Sequence, residues 1–503
     1  MTVALVQADA RHLPLPDESV QCVITSPPYF GLREYEGLAP SVWGGEDCAL
    51  HDWSGVQRQA ERYTGKRKWQ HIGAEAQAAG VRVRDVDPNA WGHPQVADTD
   101  RCTRCGAWRG CLGLEPTLGL YVEHVVEVMR EVRRVLRSDG TVWLNLGDSY
   151  AAQGGLGSGG NFLRERRAYQ QRNQRPSDNS FKPKDLLMVP HRVALALQAD
   201  GWWVRSDVVW SKPNPMPEST TDRPTRSHEY LFLLTKSGAA TYWTHRDLPG
   251  TRERPASDYR WIDRANGDAE TAEEPDCWRE DRERWRRVNL WEGHDYFYDA
   301  DAVREPHTAP SRGHGGGRLD NSEVAAFTVM RREYNPGGRN LRSVWIIPTE
   351  PFPGAHFATF PRTLVERCLL AGTSPRACGE CGAPWTRVVE RGALIGKDRG
   401  GDYRGRDIPS QVRRNGGTPG MAYENRTVGF RPTCAHGSAD GSARCLVLDP
   451  FAGSGTVGLV AAEHGRDAAL VEASRAYCEL ATTRLYRVAP VTVKDRPEPG
   501  RLL

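Results

Sequence analysis

The chain has 503 residues, with 67 Lys and Arg against 64 Asp and Glu and a net charge of +3. That length can bury a full core but exceeds one compact unit, so one main domain with large insertions or a second domain is expected. A balance so close to neutral neither requires nor excludes a nucleic-acid partner, and any such face must come from local clustering. Met1 to Ala10 lacks the basic and apolar regions of a signal peptide, and no apolar run approaches membrane-spanning length. A soluble, cytoplasmic protein with no membrane partner is expected. Twelve cysteines, several in Cys-x2-Cys or Cys-x2-His pairs, suggest zinc before disulfides in a reducing compartment.

Val3 to Val6 predicts a short strand ending at Gln7. Asp9 follows at its carboxyl end, where an open α/β sheet binds ligands; a turn-opening Asp is the plainer alternative. Val20 to Ile24 predicts a second strand running into Thr25-Ser26-Pro27-Pro28-Tyr29. Two prolines remove two backbone donors and hold φ, so the loop is stiff and leaves carbonyls unpaired. A hydroxyl and an aromatic ring on such a loop mark a candidate site. Residues 40 to 115 read as an insertion rich in Trp, Gly, Arg and Gln. Within it, Cys48-x2-His51 and Cys102-x2-Cys105 have zinc-ligand spacing and together make the four ligands of a closed structural site. Gly106 follows the second pair and Cys111 is a spare; unpaired surface thiols are the bland alternative.

Val122, Val125, Val126, Met129, Val132, Val135 and Leu136 fall at helical spacing and predict a helix over 121–136. Ser138-Asp139-Gly140 should end it, with a strand from Thr141 to Leu146 closed by Gly147-Asp148-Ser149-Tyr150. Residues 153 to 183 are Gly-rich and then basic, either a mobile loop over phosphates or a plain connection. A helix from Leu186 to Ala199 precedes a strand over Trp202 to Trp210, with Lys212 at its end. Glu229 to Thr235 predicts another strand. Residues 240 to 345 turn rich in Arg, Asp, Gly and Trp and lose sustained apolar patterning. A short strand (Val344 to Ile347) and a helix (Arg362 to Leu370) follow. Cys378-x2-Cys381 and Cys434-x-His436 form a second four-ligand set, in which Cys445 competes with His436. Four protein ligands leave no open position, so neither set is catalytic.

Leu446 to Thr456 reads Leu-Val-Leu-Asp-Pro-Phe-Ala-Gly-Ser-Gly-Thr, an apolar strand feeding an acidic residue and a Gly-rich turn. A helix from Val457 to Glu463 closes at Gly465, which completes the first half of a βαβ unit. Gly453 and Gly455 let the backbone approach a ligand, and the helix N-terminus offers unpaired N–H groups. Glu472 ends the next apolar run, about twenty residues on, where a nucleoside ribose is usually held.

The spelling DPFAGSGT, followed by GRDAALVEASRAYCELATTRL, resembles the S-adenosylmethionine (SAM) loop of amino-group DNA methyltransferases. TSPPY matches the catalytic motif of the same family. REVRRVLRSDGTVWLNLGDSYA, DVVWSKPNPMPESTTDRPTRSHEYLFLLTKS and HFATFP extend the resemblance over most of residues 1–37, 113–240 and 344–485. With the catalytic motif ahead of the SAM loop, this is the β arrangement of that family. The resemblance implies an α/β fold with a Rossmann-like methyltransferase sheet in circularly permuted motif order, carrying zinc-containing insertions and a target-recognition region. The expected organisation is 1–37 catalytic half, 38–112 insertion with the first zinc site, and 113–240 continuation. Then come 241–343 target recognition, 344–374 SAM-packing helix, 375–445 insertion with the second zinc site, and 446–503 SAM-binding half. Strands from both chain ends must share one sheet, which brings the termini together.

The family implies catalytic roles for Ser26, Pro27, Pro28 and Tyr29. It implies cofactor contacts for Asp9, Phe357, Phe360, Asp449, Pro450, Phe451, Gly453, Ser454, Gly455, Thr456 and Glu472, with Asp9 and Glu472 gripping adenine and ribose. Ser26 Oγ and the Pro27 carbonyl would accept hydrogen bonds from the base amine, and Tyr29 would stack on a flipped base. Direct attack by nitrogen on the SAM methyl needs no nucleophilic cysteine, unlike methylation of a ring carbon, and accordingly no Pro-Cys pair occurs. Ser at the first motif position goes mostly with cytosine N4 in this family, so N4 is favoured and adenine N6 is second. In the recognition region Arg331, Arg332 and Arg339 to Arg342 are candidates for base-edge contact, against a solvated charge run. Double-stranded DNA, a second copy of the chain and a restriction endonuclease are the partners implied. A zinc-containing DNA-binding module without catalysis is the competing reading, with methylation of RNA or protein a weaker third.

Overall fold

The computed structural model describes residues 1–31, 39–54, 56–59, 95–98, 100–151, 181–182, 184–215, 217–236, 259–267, 269–276, 278, 280–281, 284–289, 296–305, 338–350, 360–395, 422–434, 436, 443–488 and 490–495. Among the described residues nine strands make the main sheet: β1 (Val3–Gln7), β2 (Val20–Thr25), β3 (Leu136–Leu146), β4 (Trp203–Ser211), β5 (His228–Thr235), β6 (Val344–Ile346), β7 (Leu446–Asp449), β8 (Asp467–Glu472) and β9 (Val491–Asp495). Their order is β6-β4-β5-β3-β2-β7-β8-β1-β9. Only β5 runs antiparallel to its neighbours, β3 and β4. The central strands β2 and β7 are buried along their whole length, as strands of a parallel sheet covered on both faces must be.

Alternation within a strand assigns residues to the two faces. Ala4 and Val6 pack with helices α1 (Leu118–Val135) and α2 (Val189–Ala199). Val3 and Leu5 pack on the other face with α3 (Arg362–Gly372), α4 (Thr456–Glu463) and α5 (Arg475–Leu485). The chain ends meet here: β1 pairs with β8 on one side and β9 on the other. No helix among the described residues is long and apolar enough to cross a membrane.

Several expected boundaries move, by one or two residues at most ends and with a visible cause at three. Helix α1 starts at Leu118 because Thr117 caps it, its Oγ1 accepting from the Leu120 N–H at 3.2 Å. Ser138-Asp139-Gly140 forms no turn; β3 runs through it from Leu136, and the register with β2 shifts between Val20 and Cys22. Helix α2 begins at Val189 because Asp148 Oδ1 accepts the Val189 N–H (2.9 Å) and Met188 sits in the left-handed region, φ 55°.

Smaller units decorate the sheet. Ser41–Trp43 pairs with Trp108–Gly110, Val56–Gln59 with Gln95–Asp98, and Thr386–Ile395 with Ala422–Arg431, all antiparallel. Within the expected recognition region, Tyr259–Asp263 is the middle strand of a three-stranded sheet with Ala269–Thr271 and Trp285–Asn289.

Gly372 ends α3 against the sheet, where a Cβ would meet Cys22 Sγ at 2.7 Å, Thr141 Oγ1 at 2.8 Å and Trp143 Nε1 at 3.2 Å. Gly372→Ala should therefore overpack this face and cost roughly 1–3 kcal/mol. A thermal unfolding midpoint equal to that of the unsubstituted protein would contradict this packing.

Candidate active site

Every motif residue that the structure describes at the ends of the parallel strands lies on the same side of the sheet, the carboxyl side. β2 delivers Thr25 and the Ser26–Tyr29 loop, β7 delivers Asp449 and the Gly-rich loop, β8 ends in Glu472, and β1 leads to Asp9. One buried hydrogen bond joins the first two: Thr25 Oγ1 donates to Asp449 Oδ1 at 2.8 Å across 424 residues of chain. It places the stiff Pro-Pro loop beside the Gly-rich turn.

Around Ser26 the side chains form a hydrogen-bonded polar network. Ser26 Oγ lies 3.2 Å from Tyr29 Oη, which donates to Glu229 Oε2 at 2.8 Å. Asn145 Nδ2 donates to Tyr29 Oη (2.6 Å), Glu229 Oε2 (2.9 Å) and, at 3.5 Å, to Ser26 Oγ. Lys212 Nζ pairs with the other oxygen of Glu229 and lies 4.4 Å over the Trp210 ring. Gly147 abuts the Tyr29 ring so closely that a Cβ there would overlap Cε2. The Pro28 carbonyl is taken by Tyr121 Oη at 2.9 Å. Thr25, Asn145 and Glu229 were not expected as site residues. The available signal was a polar residue, Asn145, interrupting the apolar run of β3.

Asp449 is 2% exposed and has no cationic partner among the described residues. Burial pushes its carboxyl up to about 7, against the Thr25 and Phe451 donors, and the charge of Glu472 adds to the rise. Glu472 is also raised by burial, although Gly453 N and Ser474 N both donate to it at 2.8 Å. Gly453 and Gly455 take φ of 50° and 75°, in the left-handed region that favours glycine. At Gly455 a Cβ would also press on Ala481 at 3.1 Å. Arg484 Nη1 holds the turn from behind through Ser454 Oγ (2.9 Å) and Thr456 Oγ1 (2.8 Å). Those two hydroxyls therefore brace the loop from behind, while Phe451 N, Ala452 N, Gly453 N and Gly455 N are spent on bonds within the site. Pro450 is buried, and Phe451 packs against the α1–α2 core.

Asp9 and Glu472 do come together, since Gln7 and Glu472 are register partners and Ala8 N donates to the Glu472 carbonyl. Asp9 is held by Arg11, whose Nη2 reaches Oδ2 at 2.7 Å, and by Ser41 Oγ at 3.3 Å. Burial opposes the Asp9 charge, but the Arg11 bonds win and lower its pKa. Phe360 packs at the start of α3 against the second core. Phe357, Arg331, Arg332 and residues 153–180 lie outside the described residues. Arg339 and Arg342 both pair with Glu305, at 3.0 and 2.8 Å.

Both predicted four-ligand sets assemble. The donor atoms of Cys48, His51, Cys102 and Cys105 lie within 4.8 Å of one another, as do those of Cys378, Cys381, Cys434 and His436. The Cys-x2-Cys turns share one backbone pattern. Cys102 N donates to Ala107 O and Gly106 N to Cys102 O; Cys378 N donates to Ala383 O and Gly382 N to Cys378 O. Gly106 and Gly382 have φ of 77° and 70°. Burial disfavours the Cys102 thiolate, yet backbone donors at Cys105 and Asp52 bring its pKa down to about 5. Backbone N–H of Cys381 similarly brings Cys378 to about 7. Three thiols and an imidazole this close suit zinc. Cys445 is buried at the start of β7, outside the second set, so His436 is the fourth donor. Cys111 stays outside the first.

The unfolded chain releases the Asp449 proton near 3.8 and the folded one only near 7. Protonated Asp449 thus contributes stability below 3.8 that is lost as pH rises through about 7. In ligand-free protein, the unfolding midpoint should fall relative to Asp449→Asn as pH rises from about 5 to about 7. Parallel curves from scanning calorimetry would return this carboxyl to its ordinary value.

A family model described as DNA methylase, for the N6/N4 methyltransferases, matches residues 20–378 and 443–483. Type II methyltransferase M.SmaI of Serratia marcescens is 30% identical over 378 residues, covering 75% of this chain and 78% of that protein. Type II methyltransferase M.Cfr9I of Citrobacter freundii is 27% identical over 472 residues, 94% of this chain and 83% of that protein. Among solved structures, PvuII DNA methyltransferase (cytosine-N4-specific) aligns with 98% of this chain and 95% of its own at 12% identity. Its TM-score of 0.36 is too low to carry an argument. The family match and the Serratia relative agree with the two joined loops: this chain belongs to the N6/N4 DNA methylase family.

Proposed function

We propose that this protein transfers a methyl group from SAM to the exocyclic N4 amine of cytosine in double-stranded DNA. The observation that carries the reading is the Thr25–Asp449 hydrogen bond, which sets a Ser-Pro-Pro-Tyr loop against a Gly-rich nucleoside loop. The choice of cytosine rests on a hydroxyl, Ser26, standing at the first motif position.

The donors present fit SAM. Gly453 and Gly455 let the backbone approach the cofactor with no side chain in the way, and the start of α4 offers the N–H groups of its first turn. Glu472, at the end of β8, can still accept from a ribose hydroxyl through its second lone pairs. Bound there, SAM supplies an electrophilic methyl on sulfur.

Cytosine's amine is a poor nucleophile because its lone pair is delocalised into the ring. Donating its N–H groups to Ser26 Oγ and the Pro27 carbonyl would turn that nitrogen toward sp3 geometry; it attacks the methyl in line as the methyl–sulfur bond breaks, and the methylated nitrogen then gives up one proton. Tyr29 supplies a face for the flipped base, and Asn145 and Glu229 fix its hydroxyl and so its ring plane. Most of the rate then comes from positioning. We assign structural zinc to both four-ligand sets, and a cognate restriction endonuclease as the partner in the cell.

Incubation with SAM and mixed-sequence duplex DNA, followed by nucleoside mass spectrometry, should yield N4-methylcytosine. Ser26→Ala should lower turnover by at least about 100-fold while leaving SAM affinity near that of the parent. N6-methyladenine would transfer the mechanism to the other base, and full activity in Ser26→Ala would remove the motif's role. Metal analysis of protein purified without chelator should give about two zinc per chain. A metal-free, folded protein would discard both centres.

A further inference from the structure

The two metal-ligand sets sit at opposite ends of the parallel strands. The second is anchored at the amino end, where Gln21 Nε2 donates to the Gly382 carbonyl at 2.7 Å and Arg137 to that of Cys381. The first is joined to the carboxyl end, through three separate contacts that converge on the loops just described.

One contact runs through the chain itself. Cys105 is followed by the strand Trp108–Gly110 and then by a turn in which Leu114 N donates to Cys111 O. Gly113, inside that turn at φ 93°, accepts the Gly31 N–H at 2.7 Å. Its missing side chain matters: a Cβ would lie 3.0 Å from the Tyr29 carbonyl oxygen and 3.2 Å from Pro28 Cβ. The far end of the catalytic loop therefore rests on Gly113 by backbone alone.

A second contact locks Gly113 to α1. Its N–H donates to Glu115 Oε2 (2.8 Å), and Oε1 of this fully buried carboxyl meets His124 Nδ1 at 2.9 Å. The His124 ring is stacked with Trp43 (4.2 Å between centroids) and Trp108 (5.4 Å), which face each other across the hairpin. The third contact reaches the cofactor side. Arg11, which clamps Asp9, lies 4.1 Å over the Trp43 ring and donates to the Val42 carbonyl at 2.6 Å.

That hairpin pairs only three residues with three, Ser41–Trp43 with Trp108–Gly110, too few to hold itself in water. Its strands are joined through a chain segment of more than fifty residues, so their encounter carries a large loop-closure cost. Cys48 and His51 extend from one strand, Cys102 and Cys105 precede the other, and a shared ion would close the gap.

We propose that a zinc ion bound by Cys48, His51, Cys102 and Cys105 positions the Pro28–Gly31 end of the catalytic loop through Gly113. The first metal centre is then a positioning element of methyl transfer, in addition to a staple of its insertion. This rests on reading Ser26–Tyr29 as the catalytic loop.

The test uses the full-length protein purified with zinc, with Cys105→Ser beside the parent. Zinc content, amide hydrogen exchange at Gly31 and kcat for DNA methylation are measured. The expected result is loss of one zinc per chain, fast exchange at Gly31 with β2 and β3 still protected, and a kcat lower by about 100-fold. Loss of that zinc with Gly31 protection and kcat unchanged overturns the proposal, as does a parent protein with no zinc on these four residues. Should Cys105→Ser not fold, Gly113→Ala separates the metal from the loop. It should keep the parent's zinc yet show fast Gly31 exchange and the lower kcat; parental values for both overturn the coupling. Zinc content and exchange need no DNA, so they decide the coupling even if the chain were to methylate nothing, which would defeat the functional reading alone.

Discussion

A buried carboxyl with no counter-charge among the described residues organises this molecule. Asp449 sits at the end of the central strand β7, where it accepts the Thr25 hydroxyl from β2 and the Phe451 N–H from its own loop. Leaving it without those donors would cost the desolvation of a charged group, so both donors must stay. The requirement fixes the relation between the two loops far more tightly than apolar packing of the strands could. Apolar packing is non-directional, whereas a hydrogen bond needs its donor aimed at the acceptor and weakens steeply when misaligned.

The same economy recurs outward from Asp449. Glu472 is spent on the N–H groups of Gly453 and Ser474, Arg484 on the hydroxyls of Ser454 and Thr456, and Glu229 on Tyr29, Asn145 and Lys212. Each polar side chain at the carboxyl end thus holds another loop in place. The result is a cross-braced rim, with the first turn of α4 and the Ser26 hydroxyl the groups best placed to meet ligands. A pre-organised rim suits a reaction whose acceleration comes from holding an amine in line with a methyl group.

The metal-ligand sets solve a different problem. Both insertions are Gly- and Arg-rich and short of apolar residues, so they cannot pay for their own ordering by burial. A zinc ion on each set would gather four donors from two distant segments and so order that insertion locally, and both knuckles use one turn, a Cys-x2-Cys closed by a left-handed glycine. Where the knuckle then attaches differs: one to Gln21 and Arg137 at the amino end, one to Gly113 and Arg11 at the carboxyl end.

Much of this was legible from the residues. The strand-loop-helix around Asp449, the Ser26–Tyr29 loop and the ligand spacing of both cysteine sets depend on local order in the chain, which the amino-acid sequence carries directly. The meeting of the two chain ends in one sheet followed from motif order. Three kinds of feature were not legible. Helix α1 began earlier than its apolar pattern because a cap is a single hydrogen bond, and Ser138-Asp139-Gly140 became an irregular stretch of β3 because β2 pairs with Leu136 before it and with Thr141 after it. The choice of His436 over Cys445 depended on which of them a buried strand had already claimed. The roles of Thr25, Asn145, Glu229 and Gly113 required knowing their partners, tens to hundreds of residues away. Sequence by itself determined which chemistry-bearing groups exist and which loops carry them, because those are properties of neighbours along the chain. Tertiary structure decided which of those groups touch, because a hydrogen bond is set by distances through space that no local pattern encodes.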